Sequence, residues 1–102
     1  MKLLYIAAPY TANTHSETAQ NIIVARIMAE RYWMKGYAVI CPHMNTAFMS
    51  GLVPEYVFYE GTIEMLKRCD VVAFHPDWKK SSGCKVEYRV AKELNKEIIY
   101  YE

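Results

Sequence analysis

Short apolar runs alternate with helical patterns along the whole chain, and this alternation limits the fold more than any other feature. Leu3 to Ala7 is continuous and apolar, as a strand buried on both faces requires. Tyr37 to Cys41 repeats that signature after Gly36, Val71 to Phe74 gives a third run, and Glu97 to Tyr101 a fourth. Between the first two, Glu17 to Lys35 reads as a helix opened by Ser16, with Ala19, Ile23, Ile27 and Met28 along one side. A second helix is expected from about Glu55 to Arg68, and a third from about Cys84 to Asn95. Strand and helix in strict alternation predict a parallel sheet with right-handed crossovers. The expected architecture is a single-domain α/β fold, Rossmann-like (flavodoxin-like), with about four to five strands flanked by helices.

The 102 residues make one domain, spanning 1–102. A chain of this size buries roughly two-thirds of its unfolded surface, enough to fold without disulfides or a structural metal. Cys41, Cys69 and Cys84 are odd in number and lack a C-x-x-C pair, which fits free thiols in a reducing cytoplasm. No stretch of 18 apolar residues is present, which excludes a transmembrane helix. Twelve Lys and Arg against eleven Asp and Glu leave a net charge of +1. A sequence-independent grip on a nucleic-acid polymer needs a stronger basic excess.

In open parallel sheets, ligands collect outside the carboxyl ends of the strands. The loops there are Ala8 to Ser16, Pro42 to Pro54 and His75 to Gly83. Glu87 shares a helical stripe with Val90, Ala91 and Leu94, an expensive place for a carboxylate unless it is functional or turns to the rim and pairs with Lys or Arg. Ser81 or Ser82 is a natural N-cap of the third helix, and Gly83 lets backbone approach a ligand. Lys79, Lys80 and Lys85 crowd that N-terminus, where cations oppose the dipole. They are either solvated on a surface loop or serve an anion such as a phosphate. His43 and Asn45 follow the second strand and could bind a sugar or a base, or cap the turn. Tyr10 lies just past the first strand, where it could cover a ligand ring. Trp78 either stacks on a base or anchors its loop. Neither a Walker lysine motif nor G-x-G-x-x-G is present, and no spacing of histidines and carboxylates makes a metal site. The apolar face of the first helix is wider than one sheet covers, as a subunit interface would require.

Taken together, Tyr5-Ile6-Ala7-Ala8-Pro9-Tyr10, Cys41-Pro42-His43-Met44-Asn45-Thr46, Leu66-Lys67-Arg68-Cys69-Asp70 and Trp78-x-x-Ser81-x-Gly83-x-x-x-Glu87 resemble the nucleoside 2-deoxyribosyltransferase-like superfamily, and most of all a small branch found in bacteria and phages. The resemblance implies cleavage of an N-glycosidic bond by a carboxylate nucleophile, matching Glu87, with no metal or organic cofactor. In the branch that hydrolyses deoxynucleoside monophosphates, a Ser six residues before the nucleophile binds the 5′-phosphate, and Ser81 has that spacing. Tyr10 and His43 fall where the superfamily lines its pocket. With Asn45 and Trp78 they would position sugar and base, and Gly83, with Lys79 or Lys80, would help hold the phosphate. The resemblance further implies a homo-oligomer of dimer size or larger acting on a small nucleotide or nucleoside. One position departs from the pattern. Relatives often carry an Asp eight residues before the strand-opening Asp, where this chain has Thr62, so that Glu60, Glu64 or Asp77 substitutes or catalysis is lost and a nucleotide-binding module remains.

Overall fold

The computed structural model describes residues 1–102. Four strands form one parallel sheet: β1 (Leu3–Ala7), β2 (Ala38–Ile40), β3 (Val71–Phe74) and β4 (Glu97–Tyr100), in the order β2-β1-β3-β4. The chain moves outward from β1 to β2, then crosses back over β1 to β3. The switch point therefore falls between β1 and β3, where Leu4 pairs with Val71 and Ala7 with Phe74. These two central strands are the most apolar, and Leu4–Ala7 and Val71–Phe74 are fully buried.

Each face of the sheet has its own core. On one, α1 (His15–Met34) lays Ala25, Met28, Ala29 and Tyr32 against Leu4, Ile6, Val71 and Ala73. On the other, α3 (Glu55–Arg68) and α4 (Ser82–Glu93) supply Leu66 and Ala91 against Tyr5, Ala7, Val72 and Phe74. The short helix α2 (Pro42–Asn45) occupies the start of the segment expected to be irregular, and a 3₁₀ turn (Trp78–Lys80) leads into α4.

Two expectations about α1 are corrected. Its N-cap is Thr14, whose hydroxyl accepts from the Glu17 amide at 3.1 Å, so Ser16 lies inside the first turn. The buried stripe is Ala25-Met28-Ala29-Tyr32, and Ile23 and Ile27 stay about 40% exposed. Ala25 and Ala29 let the helix backbone come close to β1, and that contact sets the helix phase. The bulkier isoleucines, roughly a quarter-turn away, are left on the flank with Trp33 and Met34.

Candidate active site

Side chains along a parallel strand alternate between faces, so Tyr5 leaves β1 toward α3 and α4 while Leu4 and Ile6 point toward α1. The Tyr5 phenol runs up to the floor of a cleft of about 380 Å³ at the carboxyl end of β1. Its walls are the Ala8–Thr11 loop, the segment around His43–Val53, the inner face of α3 and the N-terminus of α4.

Glu87 reaches the cleft because α4 is registered by Cys84 and Ala91. Both are buried on the stripe that faces the sheet, and Glu87 falls between them at helical spacing. Its carboxylate accepts a hydrogen bond from the Tyr5 hydroxyl. Burial pushes the Glu87 carboxyl up to about 7, opposed by the bonds from Tyr5 and the Cys84 thiol. The same surroundings raise the Tyr5 phenol well above its ordinary value, through burial first and the neighbouring carboxylate second. Tyr5 thus stays protonated and can only donate toward Glu87 when that group is ionised. Cys84 is pushed up to about 12, chiefly by burial, which makes it inert as a nucleophile. The salt bridge at the rim considered for Glu87 does not form; no Lys or Arg pairs with it.

At the start of α4, Ser81 is the N-cap, its Oγ accepting from the Cys84 amide at 3.2 Å. That bond uses an acceptor site and leaves the hydroxyl proton free to donate into the cleft, which Ser81 also lines. Gly83 lines it too. A Cβ there would meet only the Ser81 Oγ at 3.8 Å, an ordinary contact. The fold therefore does not demand glycine at 83, and its effect is to keep the cleft wall low beside the free N–H groups of the helix start. Lys80 borders the same corner, with Asp77 at 3.6 Å. Lys79 lies outside the cleft, over the Trp78 ring.

On the opposite side, His43 is buried. Its Nε2 donates to the Pro9 carbonyl at 3.0 Å, and Nδ1 is left as an acceptor with no partner. Burial lowers the His43 pKa, so the ring is neutral and locks the loop after β1 in place. Tyr10 packs edge-on against it, the ring centroids 5.1 Å apart. Both residues line the cleft.

Two expected site residues lie outside the cleft. Trp78 does not reach the cleft. Its indole stacks on Tyr88 with centroids 4.3 Å apart and tilts against Phe74, so it anchors the loop before α4. Asn45 ends α2 on the exposed side, its amide toward the Met65 sulfur at 3.5 Å, and does not line the cleft. Two residues along α2, roughly half a helical turn, carry it away from the face that His43 presents. Thr62 does line the cleft, and adjoins the Tyr5 hydroxyl while its own hydroxyl donates to the Tyr59 carbonyl. None of its expected substitutes joins it. Glu64 is held by Arg68 at 2.8 Å, Asp77 faces Lys80, and Glu60 is exposed and does not line the cleft.

Sequence reasoning missed Tyr5 and Glu55. Tyr5 carried a signal, a phenol inside an otherwise aliphatic strand whose hydroxyl needs a partner once buried. Glu55 carried none, since an acidic residue at a helix start is ordinary.

No curated protein matches the sequence significantly. Among solved structures, the chain superposes on a 2-desoxiribosyltransferase from Leishmania mexicana with a TM-score of 0.70 at 18% identity. The match covers 99% of this chain and 64% of that one, so the protein spans somewhat less than two-thirds of its neighbour's length. The two share a fold: a parallel sheet flanked by helices. A family model described as "Domain of unknown function (DUF4406)" matches residues 2–100. With nearly every residue inside that match, the chain belongs to the DUF4406 family.

Proposed function

We propose that the protein cleaves the N-glycosidic bond of a nucleotide or nucleoside, deoxy-sugars included, with Glu87 as nucleophile. The observation that carries this reading is a carboxylate inside the cleft, without a cationic partner, beside a phenol and raised to about 7. In the first step a Glu87 oxygen bonds to the anomeric carbon. The C–N bond breaks, and its electron pair leaves on the base nitrogen, which takes a proton from water in the open cleft. In the second, water or an acceptor base attacks the same carbon, loses a proton to solvent, and frees the carboxylate. Hydrolysis and deoxyribosyl transfer differ only in that acceptor.

The Tyr5 hydroxyl orients Glu87 and stabilises its anion. Ser81, the N–H groups near Gly83, and Lys80 form the corner suited to a 5′-phosphate. Tyr10 and His43 bound the sugar and base. The chemistry needs no metal or organic cofactor, because the carboxylate supplies the covalent step. The likeness in fold to a 2-desoxiribosyltransferase agrees with this reading, as does the resemblance of Ser81-x-Gly83-x-x-x-Glu87 to the deoxynucleoside monophosphate N-glycosidases. The exposed flank of α1, with Ile23, Ile27, Trp33 and Met34, favours a homo-oligomer, and the free thiols favour a cytoplasmic setting.

A second reading rests on Thr62, which cannot exchange protons at neutral pH and stands beside the Tyr5 hydroxyl. It is a nucleotide-binding module that keeps the cleft without the reaction. Incubation with deoxynucleoside and ribonucleoside monophosphates and free nucleosides, with and without an acceptor base, separates the two. The glycosidase reading expects released base, fastest from a monophosphate. Nucleotide-dependent stabilisation without released base would establish the module instead.

A further inference from the structure

The cleft holds a second carboxylate that the reaction above does not use. Glu55 opens α3 and lines the cleft together with Phe58, Tyr59 and Thr62, all on one face of that helix at spacings of three, four and seven. No Lys or Arg pairs with it, and no side chain or amide donates to it. Glu64 on the same helix differs, being held by Arg68.

The helix itself orders these groups. Thr62 marks the reacting end, beside Tyr5 and hence Glu87. Glu55 lies seven residues back, about 10 Å along the axis at 1.5 Å per residue. A retaining pair of carboxylates stands only roughly 5 Å apart, so Glu55 is badly placed to protonate the glycosidic nitrogen. Between the two ends lie the Phe58 and Tyr59 rings, an apolar stretch suited to the flat face of a base. A base laid along α3, with its sugar at Glu87, turns its distal edge to Glu55.

We propose that Glu55 reads the leaving base, accepting hydrogen bonds from N–H groups on the edge remote from the sugar. This deepens the glycosidase reading and rests on it for the orientation of the substrate. An ionised carboxylate only accepts. It therefore favours a base with adjacent donors, such as guanine with its ring N–H and exocyclic amine, which two carboxylate oxygens engage together. A thymine or uracil edge, whose single N–H is flanked by two carbonyls, is repelled.

The test compares dGMP with dIMP, which differ only in the exocyclic amine. Binding by calorimetry and base release by chromatography are measured for the wild-type protein, Glu55→Gln and Glu55→Ala, with melting curves to confirm folding. The wild type is expected to favour dGMP by about 10- to 100-fold, the span of one bond to a charged group. Glu55→Ala is expected to bring the ratio near one, and Glu55→Gln to lose most of it. Equal handling of both nucleotides by the wild type, binding of neither, or a preference that survives in Glu55→Ala would overturn the assignment. Discrimination in binding without base release would leave Glu55 as the base reader and remove the glycosidase reading. Release without discrimination would do the reverse.

Discussion

The two helices whose N-termini bound the cleft begin in different ways. Helix α4 starts at a side-chain cap, Ser81 to the Cys84 amide, behind a loop pinned by the Trp78–Tyr88–Phe74 cluster. Helix α3 starts after Pro54 with no side-chain cap, behind a segment in which Phe48 and Leu52 are largely exposed and turns at Phe48 and Gly51 take positive φ. The first wall holds Glu87 and Ser81, the second Glu55 and Tyr59. The nucleophile proposed at Glu87 must be held to a fraction of an ångström, and the better-packed wall is the one that carries it. The wall proposed to meet the base presents exposed residues behind an uncapped helix start.

The largest effect separating the two walls is expected at Glu87. Glu87→Gln should lower base release by at least about 10⁴-fold, in keeping with removal of a nucleophile. The same substitution should stabilise the fold in a pH-dependent way. Because the folded carboxyl titrates near 7 and the unfolded one near 4.5, the folded state binds the proton more tightly, and stability falls as pH rises between those values. The penalty above pH 7 is about 3 kcal/mol, which Gln does not carry. Thermal melts should show the variant several degrees above the wild type at pH 8 and level with it at pH 4.

Next in size is Tyr5→Phe, which keeps the ring and removes the hydroxyl. Base release should fall by about 10- to 100-fold. Wild-type activity should rise about tenfold per pH unit up to about pH 7 and then level off, as the nucleophile ionises. Loss of the Tyr5 bond, which lowers the Glu87 pKa, should move that rise to higher pH; an unmoved profile would mean the phenol does not act on the carboxylate.

Trp78→Ala tests the anchor of the first wall. It should destabilise the protein by about 2 kcal/mol, less than the 3–5 of a fully buried Trp, in chemical denaturation. Base selectivity should be untouched, because the indole lies outside the cleft. The smallest effect is expected from Gly83→Ala. Helix propensity should raise stability by up to about 1 kcal/mol, while the new methyl group at the cleft wall weakens monophosphate binding. Calorimetric titration showing unchanged affinity would separate Gly83 from the ligand.

Legibility in the sequence followed the same division. The four strands, their parallel arrangement and the three long helices could be read from apolar periodicity, because β1 and β3 are buried on both faces. Glu87 stood out as a carboxylate on an apolar stripe, and Ser81 as a cap. Trp78 and Asn45 lie outside the cleft, which the sequence left open, because adjacency to a strand end does not say which side of a turn a residue faces. Packing against Tyr88 and Met65 decided that. The phase of α1 depended on how closely Ala25 and Ala29 approach β1, a tertiary contact that periodicity does not encode. Glu55 and Thr62 share a helix face with Phe58, yet only the position of α3 over the sheet turns that face into a cleft wall.

Glu87 as nucleophile is tested most directly by looking for the covalent intermediate. A 2-deoxy-2-fluoro nucleotide slows both oxocarbenium-like steps, and a readily leaving base restores the first, so the glycosyl-enzyme accumulates and can be weighed by intact-protein and peptide mass spectrometry. An added mass of one fluorinated sugar phosphate is expected on the peptide containing Glu87, and none in Glu87→Gln. Base release with no adduct, or with the sugar attached to another residue, would contradict it.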